Sequence, residues 1–245
     1  MNLACVILAA GRGTRMNSTL PKVLNLVNNK PLIYYPIKAA LNVNSYPIIL
    51  IVGYEKNKVI SATQNFNVQY AFQIEQLGTG HAVMQAEELL KDYNGNILVL
   101  LGDMPLISSK TIQNLKQIHE KTLADVTLLT GISNKNLKYG RIIRNHDNEI
   151  IGIVEEKDCN EKQRLIREVN PSVYLFKKDI LFSALKELKT DNVQNEYYLT
   201  DVISILKGRN AKISSYLLEN SNEILGVNTL EQLEEVSSIL ISSNL

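Results

Sequence analysis

The fold of this chain is decided near its amino terminus, where residues 3–16 read LACVILAAGRGTRM. The apolar run Ala4–Ala9 is short and rich in Val, Ile and Leu, which is typical of a buried strand in a parallel sheet. The run ends in small residues, and Gly11 and Gly13 follow at once. Small side chains let a ligand approach the backbone, and glycine permits turns that other residues resist. The stretch therefore predicts a strand followed by a tight ligand-binding loop.

Two cations follow this loop, Arg15 and then Lys22 in the stretch Leu20-Pro21-Lys22-Val23. Backbone amides of such a loop can hold phosphate oxygens, and the two cations can neutralise a triphosphate. Other phosphate loops fit less well. A dinucleotide fingerprint needs glycine where Met16 stands, and a Walker loop needs Gly-Lys followed by Ser or Thr. A dehydrogenase or a kinase is therefore disfavoured.

Further apolar runs alternate with helical patterns along the chain. The predicted strands after the first are Ile48–Val52, Val68–Phe72, Ile97–Leu101, Val126–Thr130 and Val173–Phe176. The predicted helices are Ile33–Leu41, Thr79–Leu90, Lys110–Lys121, Ile180–Leu188 and Leu199–Lys207. Strands separated by helices indicate βαβ units. The prediction is an α/β fold with a Rossmann-like, mostly parallel mixed sheet flanked by helices.

Two segments depart from this alternation. The runs Arg141–Ile143 and Ile150–Val154 flank Asn145-His146-Asp147-Asn148, a turn-rich tetrapeptide that predicts an inserted β-hairpin. Residues 229–245 predict an amphipathic helix that opens with a capping box, in which Thr229 caps the first amides and Gln232 follows three positions later. Because the chain has no Pro- or Ser-rich linker and no internal repeat, residues 1–245 are predicted to form one domain.

Composition restricts the class of protein. The chain has 245 residues, of which 45% are hydrophobic and 21% charged, as in ordinary globular proteins. Its net charge of +1 gives no indication of nucleic-acid binding, and no apolar run approaches the roughly 20 residues of a membrane span. The isolated cysteines Cys5 and Cys159 and the lack of a secretory segment predict a soluble, cytoplasmic protein with no membrane partner. Residues 1–54 nevertheless contain five Lys and Arg and no Asp or Glu, as expected where a polyanion docks.

The glycine loop resembles the signature of the sugar-1-phosphate nucleotidylyltransferases. Within that family, Ala9-Ala10-Gly11 is closer to the N-acetylglucosamine-1-phosphate uridylyltransferases than to the Ala-Gly-Gly branches. A second and longer match is residues 73–82, QIEQLGTGHA, and the resemblance runs over nearly the whole chain. It implies transfer of UMP from UTP to N-acetylglucosamine 1-phosphate, giving UDP-N-acetylglucosamine and pyrophosphate, with Mg²⁺ as the cofactor.

The resemblance also implies functional residues on the nucleotide side. Those expected to bind the nucleotide are Leu8, Ala9, Ala10, Gly11, Gly13, Gln73, Gly78, Thr79, Leu101 and Gly102. An amide such as that of Gln73 suits a nucleobase because it can donate and accept hydrogen bonds together. Many relatives carry tyrosine where Leu101 stands, but the Leu101 backbone can still contact the nucleotide. His81, in the same motif, is interpreted as structural.

Metal and sugar ligands are expected in the rest of the chain. Asp103 follows a predicted strand, where doubly wound sheets bind ligands, and the resemblance adds Asn228 as a second Mg²⁺ ligand. It implies that Gly140, Glu155 and Asn170 bind the sugar, and that Glu196–Asp201 lines the same side. After Asn170 the family usually has Thr-Gly, whereas this chain has Pro171-Ser172, which leaves the exact sugar open.

The chemistry explains why the expected site has no general base. A sugar phosphate has a second pKa near roughly 6, so at neutral pH it is already a dianion able to attack the α-phosphorus in line. Catalysis then requires holding two anions together and neutralising charge as pyrophosphate leaves. Arg15 on the pyrophosphate and Lys22 near the reacting phosphates are the predicted catalytic residues.

Several alternatives stay open at this point. The chain could use another nucleotide, such as CTP or dTTP, or another sugar 1-phosphate, and it could also be a catalytically silent nucleotide-sugar-binding protein. Within the domain, residues 1–105 are expected to bind mainly nucleotide and residues 106–228 mainly sugar. Bifunctional relatives add an acetyltransferase domain of hexapeptide repeats that trimerises them. No such repeat is present in this sequence, so neither acetyl transfer nor that route to trimers is expected, and the oligomeric state is left open.

Overall fold

A computed structural model describes residues 2–16, 20–133, 138–218 and 221–242 of the chain. The strands are β1 (Leu3–Ala9), β2 (Leu26–Val27), β3 (Lys30–Pro31), β4 (Ile48–Val52), β5 (Gln69–Phe72), β6 (Asn96–Leu101), β7 (Val126–Ile132), β8 (Gly140–Arg144), β9 (Ile150–Val154), β10 (Glu168–Asn170), β11 (Tyr174–Lys177) and β12 (Ile213–Leu217). The α-helices are α1 (Tyr34–Asn42), α2 (Lys56–Thr63), α3 (Thr79–Met84), α4 (Ser109–Thr122), α5 (Glu161–Arg164), α6 (Lys178–Leu185), α7 (Asp201–Gly208) and α8 (Leu230–Ser242).

In the described part of the chain, ten of the strands form one mixed sheet in the order β5-β4-β1-β6-β11-β7-β10-β8-β9, with β12 also paired to β7. The amino-terminal part, β5-β4-β1-β6, is parallel. Beyond β6 most pairings are antiparallel, and only β12 runs parallel to its partner β7. The Rossmann-like α/β fold with a mixed sheet flanked by helices is confirmed, and its parallel part is the half that carries the glycine loop.

The parallel strands have apolar residues on both faces because helices cover both sides of the sheet. In β1, Ala4 and Val6 pack into one apolar cluster, while Cys5 and Ile7 pack into the cluster on the opposite face. The same alternation holds for β4 and β6. A strand buried on both faces needs a continuous apolar run rather than an alternating one. That is why the sequence identifies these strands so directly.

Three parallel strands end level with one another. The register pairs Leu8 of β1 with Leu101 of β6 and Ala9 of β1 with Val52 of β4. Ligands of open α/β sheets bind beyond the carboxyl ends of such strands. The segments that follow β1, β4 and β6 therefore meet at one edge of the sheet.

The predicted hairpin is confirmed, since β8 and β9 pair antiparallel through Arg141 with Val154 and Ile142 with Ile153. In contrast, the strand predicted at Val173–Phe176 is β11, which lies antiparallel between β6 and β7 instead of continuing the parallel series. The direction of β11 is set by its partner strands, and the periodicity of its own sequence does not reveal that direction.

Some elements differ from the sequence predictions. The helix predicted at Thr79–Leu90 ends at Met84 and is followed by turns with hydrogen bonds between residues three apart, including Ala86 N to Val83 O (3.0 Å). Helix α2 and strands β10 and β12 were not predicted. Helix α2 buries only Val59 and Thr63, so its apolar pattern is weak, and β12 carries two serines in ISSYL.

The carboxyl-terminal helix is found at Leu230–Ser242, while residues 243–245 lie outside the described ranges. Thr229 Oγ1 accepts a hydrogen bond from Gln232 N (3.3 Å), as predicted. The return bond goes one residue further back than in a standard capping box, because Gln232 Oε1 accepts from Asn228 N (2.7 Å). Among the described residues, no helix is both long enough and apolar enough to cross a membrane.

Gly102, which follows β6, is required by packing. Its N–H donates to Leu8 O (2.9 Å), and an added Cβ would lie 3.0 Å from that oxygen and 2.9 Å from Ile33 Cδ1. We predict that Gly102→Ala lowers the free energy of unfolding by about 1–3 kcal/mol, because β1 and β6 would have to move apart. Chemical denaturation monitored by circular dichroism measures this loss.

The matched control is Gly208→Ala at the end of α7, where an added Cβ meets nothing within 4 Å. That variant should be as stable as the wild type or more stable by up to about 1 kcal/mol, since alanine restricts the unfolded chain. Equal stability of the two variants would contradict the packing role given to Gly102.

Candidate functional site

A cavity of about 540 Å³ opens beyond the carboxyl ends of the parallel strands. All of the predicted site residues line it except Gly13 and Gly102. Residues from both halves of the chain meet there, including Gly11 from the glycine loop, Glu155 after β9 and Asn228 before α8. The cavity therefore joins the segment expected to hold the nucleotide to the segments expected to hold the sugar.

The glycines of the loop serve different physical purposes. Gly11 lines the cavity and is exposed, and an added Cβ there would meet nothing within 4 Å. The fold itself therefore does not require glycine at this position, and the open space is left for a ligand that approaches the backbone. Gly13 instead has φ +70°, and an added Cβ would lie 2.5 Å from Lys22 Cβ. Gly13 thus lets the chain turn closely around Lys22.

Arg15, Lys22, Asp103 and Asn228 line the cavity and form a cluster that we call the ion cluster. Lys22 Nζ donates to a carboxylate oxygen of Asp103 and to Asn228 Oδ1 (3.1 Å). An Arg15 guanidinium nitrogen lies 3.3 Å from the same Asn228 oxygen. The side chains of Lys22 and Asp103 are only 19% and 9% exposed. The pair is therefore held in surroundings where charges are screened less than at the surface.

The ion cluster can accommodate a hard divalent cation. Magnesium prefers oxygen ligands, and here a carboxylate and an amide carbonyl lie on either side of one positive charge. The second carboxylate oxygen, Asp103 Oδ1, is buried without a hydrogen-bond partner. Such an oxygen in a cavity wall is available to a cation.

Asn228 is brought to Asp103 by hydrogen bonds of its own segment. Val227 N donates to Asp103 O (2.9 Å), and Gly226 N donates to the hydroxyl of Tyr139 (2.8 Å). The Tyr139 hydroxyl donates in turn to Ile224 O (2.6 Å). Together with the bond from Asn228 N to Gln232, these contacts fix the segment on both sides of Asn228.

The second motif, residues 73–82, packs against a later loop. Gln73 is 3% exposed, and its Nε2 donates to Gly78 O (2.9 Å) and lies 3.2 Å from His81 Nδ1. Gly78 has φ +110° and leaves no room for a side chain, because Tyr197 O would lie 2.6 Å from an added Cβ. His81 lies outside the cavity lining and contacts Gln73.

The residues expected to bind the sugar form a distal wall of the cavity, made of Gly140, Glu155, Asn170 and Tyr174. Gly140 of β8 and Asn170 of β10 are direct partners in the sheet. Tyr174 is fully buried, and its hydroxyl accepts a hydrogen bond from Asn170 Nδ2 (2.6 Å). The polar groups of this wall are thus held by strands rather than by free loops.

Glu155 brings a carboxyl group into the distal wall without an ion-pair partner among the described residues. Burial raises its pKa, and the charges of Asp201, Asp158 and Glu196 raise it further. A hydrogen bond from Thr200 Oγ1 to Glu155 Oε1 (3.0 Å) opposes this rise. The carboxyl therefore has unused hydrogen-bonding capacity that a sugar hydroxyl or an N–H group can satisfy.

Several lining residues were not predicted, notably Lys138, Tyr139, Tyr174 and Gln232. Each lies within a few residues of a predicted site residue along the chain or along a strand, but nothing in its type or spacing sets it apart. Glu196, Leu199 and Thr200 do line the cavity, and these belong to the stretch expected on the sugar side.

Only some of the Lys and Arg residues in positions 1–54 line the cavity. Of the amino-terminal cations, Arg15 and Lys22 line it. Arg12 instead lies over the ring of Tyr54 (4.8 Å) and Lys30 over that of Tyr34 (5.4 Å). These outer cations are tied to aromatic side chains away from the cavity lining.

The family model and the curated proteins that match this chain agree with each other. The chain matches the family model for nucleotidyl transferases over residues 4–225. It is 42% identical over 238 residues to the bifunctional protein GlmU of Syntrophotalea carbinolica, covering 97% of this chain and 51% of that protein. It is 45% identical over 230 residues to the bifunctional protein GlmU of Exiguobacterium sibiricum, covering 93% and 51% respectively. The chain thus spans about half the length of the curated relatives it matches.

Solved structures agree on the fold. A UDP-glucose pyrophosphorylase complexed with UDP-glucose superposes with a TM-score of 0.78 at 21% identity, covering 99% of this chain and 100% of that one. The apo form of UDP-glucose pyrophosphorylase gives a TM-score of 0.79, also at 21% identity. At this identity the likeness concerns the arrangement of strands and helices.

The open space at Gly11 provides a test of the loop as a ligand site. We predict that Gly11→Ala leaves the melting temperature within about 1 °C of the wild type, because the added methyl meets no protein atom. The same methyl should weaken binding of magnesium–UTP about tenfold or more, by keeping phosphate away from the backbone. Isothermal titration calorimetry measures the affinity. Unchanged UTP binding would contradict the loop assignment.

Proposed function

This chain belongs to the nucleotidyl transferase family, and we propose that it transfers UMP from UTP to N-acetylglucosamine 1-phosphate, releasing pyrophosphate and UDP-N-acetylglucosamine. The proposal extends to this chain an activity that its sequence motifs imply. It assigns the nucleotide mainly to residues 1–105 and the sugar mainly to residues 106–228. A cytoplasmic location, where UTP is available, is part of the same proposal.

The observation that carries the proposal is the meeting of three features in one cavity. The cavity is lined by the exposed Gly11, by Lys22 in contact with Asp103 and Asn228, and by Glu155 and Asn170 of the distal wall. A loop of free amides suits a polyphosphate, and carboxyl and amide groups suit sugar hydroxyls and an acetamido group. An enzyme that joins a nucleotide to a sugar phosphate needs both kinds of surface within reach of each other.

Nucleotide binding is assigned to the glycine loop and the second motif. In the proposal, the backbone of residues 8–11 holds the phosphates, while Gln73, Gly78 and Thr79 contact the uracil. The amide of Gln73 is already oriented, because its Nε2 donates to Gly78 O. An amide fixed in this way can distinguish uracil from bases with a different pattern of donors and acceptors.

Asp103 and Asn228 are the proposed magnesium ligands. Bound there, the ion would supply positive charge to the triphosphate and to the departing pyrophosphate. The orphaned Asp103 Oδ1 supports this assignment, and Lys22 presently bridges the two ligand side chains.

Lys22 and Arg15 are the proposed catalytic residues. The phosphate of the sugar is already ionised at neutral pH and needs no base to attack the α-phosphorus. The Lys22 ammonium neutralises charge on the reacting phosphates, and the exposed Arg15 guanidinium binds the leaving pyrophosphate. Glu155 and Asn170 orient the sugar so that its phosphate oxygen faces the α-phosphorus in line.

The reaction is tested by measuring pyrophosphate release with each of four nucleotides, UTP, CTP, dTTP and ATP, against a panel of sugar 1-phosphates. UTP with N-acetylglucosamine 1-phosphate and magnesium should give the highest kcat/KM. A preference for another nucleotide or sugar would contradict the substrate assignment. Tight binding of UDP-N-acetylglucosamine with no pyrophosphate release from any pair would instead identify a silent binding protein.

Removal of the Lys22 ammonium tests the mechanism. We predict that Lys22→Ala lowers kcat by about 10²–10³-fold, because charge on the reacting phosphates is no longer neutralised, while the far-ultraviolet circular dichroism spectrum is unchanged. The control is Lys30→Ala, which removes a cation of the same segment that lies over the Tyr34 ring instead of lining the cavity. Near-normal turnover of a folded Lys22→Ala protein would show that the mechanism is wrong.

A further inference from the structure

Ser172 has a backbone conformation that its residue type does not favour. Its φ is +60°, in the left-handed region where glycine or asparagine is usual. The residue before it is proline, which fixes its own φ near −65° and so restricts how the chain can turn. Position 172 is thus one where glycine would relieve strain.

Strain of this kind occurs elsewhere in the protein, but away from the cavity. Among the described residues, those with positive φ other than glycine are Asn28, Asn29, Asn44, Glu55, Leu123, Asn148, Ser172, Asn195 and Asn210. Of these, Ser172 alone lines the cavity. Backbone strain at a ligand site is commonly linked to function, because the surrounding structure must hold the strained residue in place.

The contacts of Ser172 show what its side chain does there. Its N–H donates to Asn170 Oδ1 (3.1 Å), and its hydroxyl hydrogen-bonds with the Tyr174 side chain. Ser172 Oγ also lies 3.5 Å from Asn170 Nδ2, which donates to the Tyr174 hydroxyl at 2.6 Å. A glycine at this position would keep the backbone contact to Asn170 but would lose every contact of the hydroxyl.

These contacts fix the orientation of a buried amide in the distal wall. Asn170 is 2% exposed. Its Oδ1 accepts a hydrogen bond from the backbone N–H of Ser172, and its Nδ2 donates one to the Tyr174 hydroxyl. The amide therefore cannot exchange its donor and acceptor ends without breaking both bonds. Ser172 is the more exposed of these two partners, and it lines the cavity together with Asn170 and Glu155.

We propose that Ser172 is a specificity-determining residue for the sugar, with its hydroxyl held by the Tyr174 side chain beside Asn170 and offering a hydrogen bond to a polar substituent of the sugar ring. This inference rests on the proposed function, because it assigns the distal wall to the sugar. Discrimination among sugar 1-phosphates then depends on Ser172, whereas recognition of UTP does not. The strained backbone is retained because glycine, which would relax it, has no hydroxyl.

The test separates strain from selectivity with Ser172→Gly and Ser172→Ala. Ser172→Gly should raise the melting temperature by roughly 2–4 °C, since it relieves the left-handed strain. It should nevertheless lower kcat/KM for the preferred sugar 1-phosphate about 3- to 10-fold, as expected for one lost hydrogen bond, and reduce its advantage over the other sugars. The KM for UTP should not change. Ser172→Ala keeps the strain and should show the same loss of selectivity without the gain in melting temperature.

A matched control is Leu123→Gly. Leu123 has φ +53°, is 74% exposed and lies outside the cavity lining, so glycine there should relieve strain without any effect on sugar selectivity. Unchanged sugar ratios in Ser172→Gly would overturn the proposal. Wild-type ratios in Ser172→Ala would overturn the role of the hydroxyl.

Calorimetric binding of UDP-N-acetylglucosamine and UDP-glucose to the same variants distinguishes this inference from the proposed function. If the wild type releases no pyrophosphate with any substrate pair, the proposed reaction fails. A changed ratio of the two UDP-sugar affinities in Ser172→Gly would then still support the specificity role, and an unchanged ratio would overturn it.

Discussion

The contact of the Lys22 ammonium with the Asp103 carboxylate and the Asn228 amide is the interaction on which the candidate site depends. It joins the loop after β1, the end of β6 and the segment before α8, which are distant in the sequence. Each charge is largely shielded from water, so each needs a partner, and loss of one would leave the other buried and unpaired. The cluster therefore holds the two halves of the chain in a fixed relation around the cavity.

The cluster also explains why the surrounding chain is so closely fitted. Asn228 reaches Asp103 only because its segment is bonded to Asp103 O, the Tyr139 hydroxyl and Gln232. Lys22 reaches the cluster because Gly13 lets the loop turn closely around its Cβ. None of these supporting groups is charged, but each limits where a charge can lie. A polyphosphate site requires such preorganisation, since reorganising charged groups during a reaction is costly.

The distal wall shows a different balance between stability and function. Glu155 is a carboxyl whose pKa is raised by burial and by neighbouring negative charge, and Ser172 occupies a backbone conformation better suited to glycine. Both features work against the stability of the free protein. They are found together beside the well-bonded pair Asn170 and Tyr174. A rigid pair beside such destabilising residues suits a surface that binds a polar ring. Hydrogen bonds to the ring can compensate for the destabilisation.

Much of the fold and of the candidate site could be predicted from the sequence. Strands buried on both faces need continuous apolar runs, so β1, β4 and β6 were found close to their observed limits. Glycines, cations and a carboxylate at the ends of these strands identified the loop, Lys22 and Asp103, because few residue types can turn tightly or carry charge there. Asn228, Glu155 and Asn170 came from resemblance alone. Without the resemblance, Asn228 is an ordinary residue beside a helix, and Glu155 and Asn170 are ordinary residues near strand ends.

Only the tertiary structure decided how these parts come together. The antiparallel direction of β11 and the weakly patterned elements α2 and β12 depend on partners far away in the sequence. Gly11 and Gly102 have the same residue type, yet the space around them assigns one to the ligand and the other to packing. Likewise, the strain at Ser172 and the bonds that fix Asn170 exist only in the folded chain. Residue types determined the available chemistry, and packing determined which groups lie close enough to use it.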